Sequence, residues 1–228
     1  MKPLHLYDDP ATYDGANFSH VDLGGGFYLP IVFSFVYLGC TISSDGTDTL
    51  DIRNMIDKAG GAFGTLRDCF FNSTNVSEEA KAFIYCCLIL AILLYGAETW
   101  CLTESLWREL SCFHNKCLHA MCRVTRKHTR VHRISSTDLM NRLNIKSIQS
   151  YVTKRQLRWA GHVSRMDFER LPRKMISSWV RSKRPRGAPK MTYGRTLKRS
   201  LNRAGIDPGM WAELAADRTV WRELLNNL

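Results

Sequence analysis

The sequence predicts a mainly α fold: a helical bundle with a short N-terminal β strand or hairpin, followed by a basic helical C-terminal region. Three observations carry this reading. Apolar residues recur at helical spacing in successive segments from about residue 48 onward. Ser, Thr or Asp precedes most of those segments, where a side-chain oxygen can cap the first turn. One run rich in Val, Ile, Phe and Tyr, Ile31–Ile42, stops at the turn signal Ser43-Ser44-Asp45-Gly46.

In chain order, residues 1–30 are Gly- and Asp-rich with weak patterning, and are expected as a weakly structured lead-in. After the β element, Asp48 or Asp51 opens a helix carrying Ile52, Ile56, Ala59, Phe63 and Leu66. Gly60, Gly61 and Gly64 lower its propensity and suggest that another backbone approaches closely there. Ser77 caps an apolar helix over residues 78–95, with Glu78 and Glu79 in the first turn. Its uncharged stretch from Ala82 to Tyr95 is shorter than the roughly 20 residues of a membrane span, so a buried core helix is expected. Thr103 caps the next helix, whose apolar face holds Leu106, Leu110, Phe113, Cys117, Met121 and Val124. A polar, His-rich turn is expected at 126–134, then a short helix from Ser136 to near Asn144, and a longer one capped by Ser147 and reaching about Met166. The tail reads as two short helices, one opened by Asp207-Pro208 and one capped by Asp217.

Charge is the strongest functional signal. The 228 residues carry a net charge of +11, and the distribution is polarised: residues 1–115 hold 6 Lys and Arg against 14 Asp and Glu, residues 116–228 hold 26 against 7. Such a half presents an anion-binding surface, with nucleic acid the leading partner. At 45% hydrophobic and 23% charged, the composition excludes disordered and collagen-like classes. The start Met1-Lys2-Pro3-Leu4 leads into no apolar signal core, so a nuclear or cytoplasmic protein with reduced thiols is expected, not secreted and without a membrane partner.

Within the basic half, Lys154, Arg158, His162 and Arg165 fall within about 80° of a helical wheel, with Arg155 beside them. The stripe is about 17 Å long, enough for several successive phosphates. No acid interrupts it before Asp167. A second basic element, the extended arm 181–190, offers Lys183, Arg184 and Arg186 between Pro185 and Pro189, suited to a backbone or a minor groove. Trp159 lies at the apolar edge, where core packing is expected over stacking on a base.

Other candidates are weaker. Cys112, His114, Cys117, His119, Cys122, His128 and His132 are dense enough to suggest zinc, but their helical phases scatter around the helix and no metal site is expected. Tyr7-Asp8-Asp9 resembles a polymerase Asp pair without the strand that should hold it, and Glu79-x-Lys81 lacks the upstream Asp on a convincing strand that a metal-dependent nuclease needs. No nucleotide loop or nucleophile elbow is present, so no catalytic residue and no cofactor is assigned.

A family resemblance adds to this reading. Phe35-Val36-Tyr37-Leu38-Gly39-Cys40-Thr41-Ile42-Ser43, Ala62-Phe63-Gly64-Thr65-Leu66 and Leu94-Tyr95-Gly96-Ala97-Glu98-Thr99-Trp100 occur in order. They are followed by Phe113-His114-Asn115-Lys116-Cys117-Leu118, Arg155-Gln156-Leu157-Arg158-Trp159-Ala160-Gly161-His162, Lys183-Arg184-Pro185-Arg186-Gly187 and Trp211-Ala212-Glu213-Leu214. This series resembles the C-terminal, thumb and post-thumb region of reverse transcriptases of non-LTR (LINE-like) retrotransposons, over about residues 20–225. The resemblance implies a thumb-like helical domain at 31–125 and a basic nucleic-acid-binding region at 126–228. It also implies that the palm with its Asp motifs, and any endonuclease, lie upstream. The expected function is therefore a non-catalytic fragment that contacts the backbone of RNA and/or DNA, such as a template–primer duplex, with oligomeric state unassigned. An inert pseudogene-like remnant and a small zinc-dependent interaction module are the alternatives.

Overall fold

The structure, a computed structural model, describes residues 2–5, 18–177, 192–226 and 228. They fall into two units, one ending at Thr47 and one spanning Asp48–Leu228. The protein is mainly α, with an antiparallel hairpin near its N-terminus.

In the first unit, the expected β run is a hairpin of β4 (Ser34–Tyr37) and β5 (Cys40–Ser43), pairing Ser34 with Ser43 and Tyr37 with Cys40. Leu38 and Gly39 make the two-residue turn, both at positive φ (48° and 88°), the geometry whose twist matches a hairpin. Residues 1–30 are read as a weakly structured lead-in; their described residues include three further strands: β1 (Lys2–His5), β2 (Phe18–Asp22) and β3 (Tyr28–Pro30). β2 pairs parallel with β1 and antiparallel with β3.

The second unit begins with α1 (Thr49–Leu66), whose last turn widens into a π turn at Arg67–Phe71. That widening carries Phe71 into the core, stacked on Phe63 at 4.3 Å. The apolar run is α2 (Glu78–Ile84), a π turn at Tyr85–Ile89, and α3 (Leu90–Leu93), with Ser77 accepting from the Ala80 N–H as its cap. Tyr85, Ile89, Leu90, Leu93 and Leu94 are buried, as a core helix requires. Among the described residues no helix is long and apolar enough to cross a membrane. Next come α4 (Glu104–Met121), capped by Thr103, α5 (Arg126–His132), α6 (Ser136–Leu143) and α7 (Ile148–Ser164), capped by Ser147.

Several expectations are corrected. The segment read as a polar turn at 126–134 is the helix α5: Thr125 caps it by accepting from the His128 N–H at 3.2 Å. Having no apolar stripe, it gave no helical period. A helix not expected from the sequence, α8 (Leu171–Ser177), precedes the arm, and the tail after it holds three described helices, not two: α9 (Tyr193–Arg203), α10 (Trp211–Ala216) and α11 (Arg218–Asn226). Asp207 closes a turn, accepting from the Gly209 N–H at 3.0 Å, and α10 starts only at Trp211. Neither Gly61 nor Gly64 has any atom within 4 Å of an added Cβ, and Gly60 meets only the Phe113 ring at 3.7 Å, so no backbone approaches there.

Two hydrophobic clusters form the interior of this unit. α1 to α4, α6 and the start of α7 build the first; Leu157 and Ala160 of α7, with α9, α10 and α11, build the second. α7 thus runs through both. Gln156, at the crossing, is fully buried: its Nε2 donates to the Trp100 carbonyl at 3.0 Å, and its Oε1 accepts from Ser200 Oγ at 2.7 Å. Trp100 Nε1 in turn donates to Asp51 at 3.0 Å, and the Cys101 N–H donates to Asp48 at 2.6 Å. These two acids therefore tie α1 to the chain after α3 instead of capping α1 with their side chains.

Candidate nucleic-acid interface

The basic stripe stands on α7 because its opposite face is apolar. Val152, Leu157, Ala160 and Val163 are buried, which turns Arg158 and His162 outward. α11 is docked onto the same helix. Asp217 fixes its first turn by accepting from the Thr219 and Val220 N–H groups at 2.7 and 3.2 Å. Trp221 and Leu225 are buried, and the Trp221 indole donates to the Leu157 carbonyl at 3.1 Å. This docking sets Arg218 and Arg222, one turn apart on α11, across from the α7 stripe.

The result is a groove of about 620 Å³ between the two helices, walled by Lys154, Arg158, His162, Arg165, Arg218 and Arg222. Among the described residues no carboxylate lines it, and none of these basic side chains is in a salt bridge. Burial, and to a lesser extent the neighbouring charges of Lys146 and Arg158, pushes the Lys154 ammonium below its ordinary range. Lys154 Nζ reaches Asn226 Oδ1 at 3.5 Å, and Arg165 donates to the Ala215 carbonyl. Preformed cations facing one another across a concavity suit an anion with several charged oxygens.

Not every predicted site residue is in the groove. Arg155 points to the other side of α7, donating to the Leu94 carbonyl at 3.2 Å and to Glu98 at 3.3 Å. Lys183, Arg184 and Arg186 lie outside the described residues, as do Tyr7, Asp8 and Asp9. Sequence reasoning missed Arg218 and Arg222. The signal available was their i, i+4 spacing beside Trp221 and Leu225.

A second hollow of about 480 Å³ lies on the far side of the Lys154–Arg158–His162 ridge, lined by Tyr151, Trp159, Glu98 and Arg155. Trp159 is half-buried and meets Tyr193 edge to face at 5.5 Å.

The Cys and His residues are distributed differently. Among the described residues, no group of three or more His, Cys, Asp or Glu side chains is placed to hold a metal. None of the eight cysteines is in a disulfide, and burial pushes Cys117 up to about 12. His114 is buried, 2.7 Å from the Tyr85 hydroxyl through Nδ1. Lys81 is buried too, its Nζ donating to the Ser73 carbonyl at 2.7 Å.

No protein-family model matches the chain, and no solved structure matches it. A transposon-derived, uncharacterised protein of Caenorhabditis elegans is 23% identical over 200 residues, covering 85% of this chain and 70% of that protein. This similarity fits a transposon-related origin.

Proposed function

We propose that this chain is a nucleic-acid-binding, non-catalytic portion of a retrotransposon reverse transcriptase, and that the α7–α11 groove holds the sugar–phosphate backbone. The single observation that carries the reading is the set of six basic side chains facing one another without an intervening carboxylate. A solvated helix face mixes signs; a phosphate track does not. The polarised charge of residues 116–228 supports the same assignment, and the C. elegans similarity supports the transposon context. The order of sequence blocks that resembles non-LTR reverse transcriptases narrows that context to the region after the palm. Binding through phosphates is weak in sequence preference and steep in salt dependence.

The test is a salt titration of binding to labelled duplex, read by fluorescence anisotropy. Substituting Lys154, Arg158 and Arg165 together by Ala removes up to three phosphate contacts, which shrinks the log–log salt slope by about 2–3 units. A folded triple variant that keeps both the affinity and the slope of the wild type rejects the assignment.

A further inference from the structure

The ridge of Lys154, Arg158 and His162 borders two hollows of unlike chemistry. On one side is the cationic groove. On the other, two aromatic rings, Tyr151 and Trp159, stand with the Arg155–Glu98 ion pair. We infer that the preferred ligand of this surface is single-stranded nucleic acid, with its phosphates in the α7–α11 groove and one unstacked base in the Tyr151–Trp159 hollow. This rests on the proposed function and adds the strandedness of the ligand.

Aromatic lining, not charge sign, distinguishes the two sides. Tyr151 and Trp159 give the second hollow aromatic walls that suit a flat, neutral base, features that the first groove lacks apart from Trp221. The walls are held in place beforehand. The Tyr151 hydroxyl accepts from the Lys146 N–H at 3.3 Å, and Trp159 is braced edge-on by Tyr193. Glu98 is fixed by Arg155. At about 480 Å³ the hollow has volume enough for one base. Because the same three side chains border both sides, a phosphate across the ridge and a base in the hollow can belong to neighbouring parts of one strand. A duplex cannot use the hollow, since its bases are paired and stacked inside; only an unpaired base is free to enter.

The experiment compares the full chain on labelled 12-nucleotide DNA and RNA strands, on a fully abasic 12-mer, and on 12-base-pair duplexes. The wild type is expected to bind intact strands roughly 5- to 150-fold more tightly than the abasic strand, the range of one aromatic–base stack. Trp159→Ala removes that preference and leaves duplex affinity and salt slope unchanged. Trp159→Phe keeps part of the preference, and covers the case in which the Ala variant does not fold. The DNA and RNA arms identify which sugar is preferred. If wild type binds duplex with the groove-dependent slope but binds intact and abasic strands alike, the base hollow is rejected and the groove stands. If no ligand shows a slope that the Lys154, Arg158 and Arg165 substitutions reduce, the groove is rejected and the base hollow falls with it.

Discussion

Gly161 lies directly beneath the indole of Trp221: a Cβ added to Gly161 would sit 2.2 Å from Trp221 Nε1 and 2.6 Å from its Cδ1. The close approach lets Trp221 donate to the Leu157 carbonyl, and so seats α11 on α7. In an exposed helix interior, Gly→Ala gains about 1 kcal/mol. Here a rigid, buried ring blocks the new methyl, so the sign reverses. Gly161→Ala should destabilise the protein by about 1–3 kcal/mol in urea melts. Gly64→Ala, which meets open space in α1, should be neutral or stabilising by up to about 1 kcal/mol. Equal effects at both positions would show that Trp221 does not decide the outcome.

Many local signals were legible in the sequence, though the Asp207 cap failed and the Thr125 cap went unread; tertiary signals were not. Ser77, Thr103, Ser147 and Asp217 all cap where sequence places them, because a cap is written within four residues. α9 was not legible: half of its buried face is Thr196 and Ser200, so its period reads as polar until Gln156 is known to receive the Ser200 hydroxyl. The basic stripe on α7 follows from period alone, but the opposite wall of the groove depends on where α11 docks. Likewise, the glycine at a close approach is Gly161 and not Gly60, Gly61 or Gly64, which only the packing reveals.

Gln156 should behave as a polar pin between the two clusters. Replacing it by Ala leaves Ser200 Oγ and the Trp100 carbonyl without this partner and opens a cavity, at a cost of about 2–4 kcal/mol. Gln156→Met restores most of the volume and not the hydrogen bonds, so it should recover part of that loss. A Met variant no more stable than the Ala variant would assign the whole cost to hydrogen bonding.

His114 gives the fold an acid-sensitive component. Burial holds its imidazole down at about 4, against the opposing pull of the Lys146 backbone carbonyl, while an unfolded histidine titrates near about 6.5. Between these values the unfolded chain binds the proton and the folded chain does not. Stability from this group is therefore complete above about pH 6.5, falls as pH drops toward about 4, and is then flat, a loss of about 3 kcal/mol. The difference in unfolding free energy between wild type and His114→Gln, measured from pH 7 to 4, should shrink or invert by that amount. A pH-independent difference would place the proton elsewhere.

Arg155 and Arg158 are neighbours on the helical wheel, yet the fold gives them different work. Arg155 is half-buried and spans α7 to residues 57 and 61 positions earlier in the chain, through Glu98 and the Leu94 carbonyl. Arg158 is exposed in the groove, with Arg218 and Arg222 on the facing helix. Removing Arg155 breaks a half-exposed pair and a backbone contact, so Arg155→Ala should cost about 1 kcal/mol of stability and leave the salt slope of nucleic-acid binding unchanged. Arg218→Ala with Arg222→Ala should do the reverse: unfolding stays within about 0.5 kcal/mol of wild type, while the slope falls by about 2 units on duplex. Measuring both quantities on both variants separates a structural cation from a ligand-facing one. If the Arg155 variant lowers the slope as much as the Arg218 and Arg222 variant, phosphates follow the whole basic face of α7, and the groove is not the track.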